Sequence, residues 1–161
     1  MNNDNFVIKE ATIDDAETIF NFIYQLAVYE KLEKEVTTTP EDLAKTLFAE
    51  NSHVKTNIGY YKNKPVAFSL YFFNYSTFKG KPGLYLEDLF VLPEMRGKGF
   101  GKKMLIKLAE IAKEKNCARF EWSVLNWNKP AIDFYKSLGA KPMDEWTVFR
   151  LSEKEIDNLI G

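Results

Sequence analysis

The sequence predicts an α/β fold, a mixed and mostly antiparallel sheet with helices on both faces, and three observations carry that expectation. Helical and strand-like periodicities alternate along the chain in the order β-α-α-β-β-β-α-β-α-β, with a short helical tail. Three successive strand candidates, 54–61, 65–76 and 82–92, are separated only by turns, which makes them an antiparallel meander. A strand–helix–strand passage over 82–125 then requires a parallel crossover.

Each element has its own signal. "FVIKEA" (6–11) reads as a short strand. Thr12, with Asp15 three residues on, is a capping-box start, and Ile19, Phe20, Ile23, Leu26 and Ala27 recur at helical spacing to about Glu30. "TPED" (39–42) repeats the start signal with Pro40 in the first turn, giving a helix to about Glu50. The first two meander strands meet through the turn "KNK" at 62–64. A helix over about 99–115 buries Leu105, Leu108, Ile111 and Ala112, and "ARFEWSVL" (118–125) is the strand after it. Asn128 caps the next helix, with Pro130 in its first turn and Gly139 beyond its end. "WTVFRL" (146–151) reads as a last strand, and "SEKE" (152–155) as the cap of a final helix.

Composition narrows the class. With 161 residues, 45% hydrophobic and 28% charged, the chain fits one globular domain with room for a sizeable core. A net charge of −1 provides no basic field for nucleic acid. One cysteine, Cys117, excludes an intrachain disulfide and fits a reducing compartment; with a single histidine, His53, neither a structural zinc site nor a Cys/His nucleophile pair assembles, so no metal is expected. The start "MNNDNFVIKEA" lacks a signal-peptide layout, and no apolar run approaches the roughly 20 residues that span a bilayer. A cytoplasmic protein that binds neither membrane nor nucleic acid is expected.

The most informative stretch is "LEDLFVLPEMRGKGFGKKML" (86–105), an apolar strand carrying two acids and then a basic, glycine-dense turn into a helix. Such a turn exposes backbone N–H groups at the positive end of a helix dipole and so binds phosphate without a dedicated side chain. Gly97, Gly99 and Gly101 remove Cβ atoms where a diphosphate approaches and permit positive φ, and Arg96, Lys98, Lys102 and Lys103 add charge. The glycines fall as G-x-G-x-G, which is neither the Walker nor the Rossmann spacing.

"RGKGFG" (96–101) resembles the [QR]-x-x-G-x-[GA] signature of the GNAT superfamily of N-acetyltransferases. With "NWNKPAIDFYKSLGA" (126–140) and the N-terminal "FVIKEATIDDAETIFNFIYQLAVYE" (6–30), nearly the whole chain is similar to the diamine and thialysine acetyltransferase branch. The resemblance implies the GNAT fold, with the sheet splayed at one parallel pair, acetyl-coenzyme A as co-substrate and a homodimer that uses the last strand and tail as exchange elements. Leu89, Phe90 and Val91 match the strand that pairs with the pantetheine arm. Arg96, Gly97, Lys98, Gly99, Phe100, Gly101 and Lys102 match the phosphate segment, and Asn128, Lys129, Pro130 and Ala131 the second coenzyme-contacting segment. Tyr29, Glu30, Glu87, Glu121, Trp122, Ser123 and Trp146 match substrate-binding positions, with Asp144 and Glu145 as less certain equivalents of an acidic residue.

Acetyl transfer to an amine has two proton problems. An ammonium with a pKa near 10 must lose a proton to attack, and a departing thiolate must gain one. Tyr135 shares a helix face with Ala131 and Leu138 and matches the family's general acid. Glu87 is the candidate base; strict alternation puts it with Tyr85, Leu89 and Val91, and Asp88 opposite with Leu84, Leu86 and Phe90. An acid in the middle of an apolar strand is costly unless it is partnered or functional, and the argument applies to Asp88 as well as to Glu87. No cysteine stands at a nucleophile position, so direct attack in a ternary complex is expected. A small polyamine, diamine or amino-acid-like amine of the spermidine, spermine or thialysine type is the expected acceptor. A protein or peptide amine is the alternative, as is a non-catalytic acyl-coenzyme A-binding module, against which the presence of both Glu87 and Tyr135 argues.

Overall fold

A computed structural model of the chain describes residues 5–161. Residues 1–4, the start of the segment examined above for a signal-peptide layout, lie outside the described residues. The chain forms two compact units, one through Ser123 and one over Val124–Gly161.

The first unit contains β1 (Phe6–Glu10), α1 (Ala16–Tyr29), α2 (Pro40–Leu47), β2 (Lys55–Tyr61), β3 (Lys64–Ser76), β4 (Lys81–Val91), α3 (Phe100–Glu114) and β5 (Arg119–Trp122). The five strands lie side by side in chain order. The first three pairings are antiparallel and β4–β5 is parallel. The β2–β3 turn holds Lys62 and Asn63 at φ 50° and 62°, the left-handed pair of a tight hairpin. The Thr12 N–H donates to Asp15 Oδ2 at 2.8 Å, and this capping box opens a single 3₁₀ turn that leads into α1. Thr39 caps α2 by accepting from the Asp42 N–H at 3.1 Å.

Two apolar layers sandwich the sheet. On one face Ile19 and Phe22 of α1 and Leu43 of α2 bury against Ile58, Phe68, Leu70 and Phe90. On the other, α3 contributes Phe100, Met104, Leu105, Leu108 and Ala112, with the Phe100 ring stacked on Phe6 at 4.3 Å. The helix dimensions follow this packing, because burial of an amphipathic face supplies most helical stability. Accordingly α2 stops at Leu47 rather than Glu50.

Strict alternation fails in the middle of β4. Leu70 pairs with Asp88 and Tyr71 with Leu86, so Glu87 is an extra residue, a β-bulge. Directly opposed residues share a face, and the bulge therefore reverses the sides. Asp88, Phe90 and Tyr85 lie on the α1 face, opposite Leu70, Phe68 and Phe72. Leu84 and Leu86 join Leu89 and Val91 on the α3 face. The expected grouping of Leu84 and Leu86 with Asp88 is thus corrected.

The bulge also explains why β5 is shorter than the expected 118–125. The parallel ladder runs from Gly83–Arg119 to Leu86–Trp122 and stops where Glu87 interrupts β4. β4 continues to Val91, so Glu87–Val91 have no β5 partner on that edge. This is the splay at the parallel pair.

The second unit contains α4 (Lys129–Ser137) and α5 (Glu153–Ile160). Asn128 caps α4 by accepting from the Ala131 N–H at 3.4 Å, and Pro130 sits in the first turn. Gly139, at φ 91°, closes α4 as a Schellman motif, with the Ala140 N–H on Tyr135 O and the Gly139 N–H on Lys136 O. Ser152 and Glu155 form the capping box of α5. The expected strand over 146–151 does not form. A strand exists only by pairing, and among the described residues no other segment pairs with it; Val148 is 82% and Phe149 92% exposed, so neither face is buried.

Candidate active site

The glycine turn leads from β4 into α3. Gly97 and Gly99 take φ of 76° and 80°, the left-handed region where L side chains are strained, and Gly99 is the N-cap of α3. Gly101 is helical, so only two of the three glycines use their conformational freedom. A Cβ at 97 or 99 would meet no heavy atom within 4 Å apart from chain neighbours, whereas one at 101 would touch Val91 Cγ2 at 3.7 Å. The Lys103 N–H donates to Gly99 O at 3.1 Å, the first bond of the helix. The amides of Gly99, Phe100, Gly101 and Lys102 precede it and have no intrahelical acceptor. Phe100 contributes only its backbone here, because its ring is buried against Phe6 and Tyr61. An open, glycine-lined arc of amides at the positive end of a fifteen-residue helix is suited to an anion. Lys102 projects to solvent beside it, and Lys103 lies over the Phe6 ring at 5.8 Å.

Arg96 behaves differently from the other cations. Its Nε donates to Val91 O at 3.1 Å, and its guanidinium lies 4.7 Å from the Tyr29 ring and 5.3 Å from the Phe90 ring. The side chain folds back onto α1 and β4.

Asp88 lies on the α1 face, opposite Leu70 and two residues before Phe90, and Glu87 occupies the adjacent bulge. Glu30 caps the C-terminus of α1. Burial, reinforced by the negative charges of Glu87 and then Glu30, raises the Asp88 carboxyl to about 7; burial also raises Glu30. Glu121 pairs with Tyr85 across the parallel ladder and so shares this face, and the Ser123 and Tyr85 hydroxyls lie 2.8 Å apart. Tyr29, Glu30, Asp88, Glu121 and Ser123 thus converge on one side of the sheet. Trp122 falls on the other, its ring 5.0 Å from Phe120. Glu121 is held by Arg119 Nε at 2.8 Å.

The strength of the Asp88 perturbation was not visible in the sequence, which gives adjacent acids but neither the bulge nor the nearness of Glu30. A folded pKa near 7 lies above the unfolded value, so the acid form is favoured on folding. Stability therefore falls as pH rises from about 4 to 7 and then levels. Asp88→Asn is expected to gain roughly 2 to 4 kcal/mol over the parent at pH 8 and nothing at pH 4, read from urea melts across that range. Equal pH dependence in both proteins would contradict the buried carboxyl.

In the second unit, the Lys129 ammonium bonds the Asp133 carboxylate at 2.9 Å, one turn on. Tyr135 is half-buried, its ring 5.7 Å from Phe134. Leu138, expected on an inward face with Tyr135, is instead 38% exposed, because it caps the helix just before the Gly139 turn. Trp146 is 75% exposed. Among the described residues no cluster of three or more His, Cys, Asp or Glu is placed to hold a metal ion, and no helix is long and apolar enough to cross a membrane.

Comparison with known proteins agrees with this architecture. Residues 15–140, a span running across both units, match the Acetyltransferase (GNAT) family. The chain is 39% identical to thialysine N-epsilon-acetyltransferase of Sus scrofa, covering 96% of this chain and 97% of that protein. It is 35% identical to the Caenorhabditis elegans protein of the same name, over 95% and 96%. Among solved structures, an integron cassette protein from the mobile metagenome of V. cholerae superposes with a TM-score of 0.82 at 30% identity, over 97% of this chain and 98% of that one. A glycine turn opening a helix, a sheet splayed beside it and these full-length likenesses lead to one conclusion: the chain belongs to the GNAT family of acetyltransferases.

Proposed function

We propose that the protein moves the acetyl group of acetyl-coenzyme A to a primary amine of a small polyamine, diamine or amino-acid-like amine, by direct attack in a ternary complex. The observation that carries the choice of acceptor is the group of carboxylates Glu30, Glu87 and Asp88, in which both of the other charges act on Asp88 beside the bulge where the β5 pairing ends. A bound cation would relieve the repulsion that Glu87 and Glu30 exert on Asp88, and the Tyr29 and Tyr85 rings lie close at hand for cation–π attraction. The thialysine N-epsilon-acetyltransferase relatives point to the same class of acceptor.

Acetyl-coenzyme A, when bound, supplies a thioester-activated acetyl group. The turn fits its diphosphate: the amides preceding Lys103 have no intrahelical acceptor, the space at Gly97 and Gly99 is open, and Lys98 and Lys102 lie in the same segment. The unpaired edge of Glu87–Val91, including Leu89 and Phe90, offers backbone groups for the pantetheine amides and an N–H for an oxyanion. Asn128, Lys129, Pro130 and Ala131, at the capped start of α4, are assigned to the second coenzyme-contacting segment. Glu87 or Asp88 takes the ammonium proton, directly or through water, and Tyr135 donates one to the departing sulfur. Glu121, Ser123 and Trp146 are assigned to the acceptor side, whereas Trp122, expected there, lies on the other sheet face beside Phe120. The exposed Trp146, Val148 and Phe149 favour a homodimer, with that segment meeting a second copy, and the single cysteine fits a cytoplasmic setting.

Free-thiol release from acetyl-coenzyme A, followed with spermidine, putrescine, thialysine, lysine and a basic peptide, tests this reading. Turnover with one or more of the small amines, at least tenfold above the peptide in kcat/KM, is expected. Preference for the peptide, or coenzyme binding with no turnover on any of them, would overturn it.

A further inference from the structure

The Arg96 side chain joins the glycine turn to the acidic face. Arg96 belongs by sequence to the glycine turn, yet its guanidinium lies between the ring of Tyr29, the last residue of α1, and that of Phe90, next but one to Asp88. The Nε–Val91 O bond fixes the fork in that position. The backbone holds the root of the side chain as well, since the Arg96 N–H donates to Pro93 O at 3.2 Å. The positive charge also sits near the C-terminal, electronegative end of α1, where it is stabilised. With its planar face on aromatic rings and Nε on a carbonyl, the group is turned away from the role of a mobile phosphate ligand. A lysine could not reproduce the stacked, bonded geometry.

We propose that Arg96 is a positioning residue for the amine: its side chain clamps the Tyr29–Glu30 end of α1 against β4, and coenzyme affinity is left to the backbone amides that follow it. Glu30 is the neighbour of the clamped tyrosine and one of the two charges acting on Asp88. Releasing the clamp frees Glu30 to move from the carboxylate group. The inference rests on the amine-acetyltransferase reading, although part of its test does not.

The experiment measures both KM values and the acetyl-coenzyme A Kd by calorimetry for the intact protein and for Arg96→Met, Arg96→Lys, Tyr29→Leu and the Arg96→Met/Tyr29→Leu pair. The Arg96→Met variant should raise the amine KM at least tenfold and change the coenzyme Kd less than threefold. Arg96→Lys, which keeps the charge and is the safer variant for folding, should give the same pattern with a smaller rise. The double variant should be no worse than the poorer single one, as expected for partners in one contact. A tenfold or greater weakening of coenzyme binding in Arg96→Met or Arg96→Lys, with the amine KM unchanged, would overturn the proposal and make the side chain a phosphate ligand. Additive losses in the double variant would also overturn it. If the parent acetylates no amine, the functional reading fails by itself, and the calorimetric Kd still decides where Arg96 acts.

Discussion

Replacing Tyr135 with phenylalanine is expected to lower kcat for amine acetylation about 10²- to 10³-fold, the size of effect typical of a lost general acid. The substitution removes one oxygen and leaves the ring in place. The contact with Phe134 survives, and so does the Schellman turn that pins the Tyr135 carbonyl to the Ala140 N–H. Helix α4 should therefore form as before, and acetyl-coenzyme A affinity should stay within about twofold, because the turn at 97–102 is untouched. The paired readout matters. A fall in kcat with constant coenzyme Kd places the hydroxyl in the chemical step, whereas equal kcat in both proteins would make Tyr135 a packing residue of α4.

Gly99→Val is expected to weaken acetyl-coenzyme A at least thirtyfold. Two effects add. The backbone at φ 80° disfavours any L residue by about 1–2 kcal/mol, and a β-branched one more strongly. The new side chain also fills the space before the amides, where a Cβ meets no heavy atom within 4 Å in the protein alone. Gly99→Asn separates the two, since asparagine tolerates the left-handed region; it should melt close to the parent and still bind coenzyme poorly. Gly101→Ala, at a helical position with an ordinary 3.7 Å contact to Val91, should leave the melting temperature unchanged. If calorimetry shows Gly99→Val binding acetyl-coenzyme A as tightly as the parent, this turn is not the phosphate site.

The contrast between these glycines shows what a sequence can carry. Local signals were legible: the caps at Thr39 and Asn128, the hairpin at Lys62–Asn63 and the glycine after α4 depend on residues within a few positions of one another. So was the existence of the turn. Features decided across the sheet were not legible. The bulge at Glu87 arises from the register between β3 and β4, and one extra residue moves Asp88 to the face opposite Leu86. The same bulge ends β5 at Trp122. Apolar alternation in 146–151 looked like a strand, but pattern supplies no partner, and the segment remains unladdered with Phe149 almost wholly exposed. Arg96 reads from sequence as one of several turn cations. Only the position of Tyr29 at the end of α1 gives it another task. For the site as a whole, residue types and their spacing identified the glycine turn and the acids, while the third dimension chose which acid is perturbed.

The central claim is that backbone amides at 97–102 hold the diphosphate of acetyl-coenzyme A beside the open edge of β4. Titrating isotope-labelled protein with acetyl-coenzyme A and following backbone amide resonances tests it most directly. The account predicts that the largest shifts fall on Gly97, Gly99, Phe100, Gly101 and Lys102, followed by Leu89–Val91, all saturating with one dissociation constant. Saturable shifts confined to other segments, with the glycines of the turn unmoved, would contradict it.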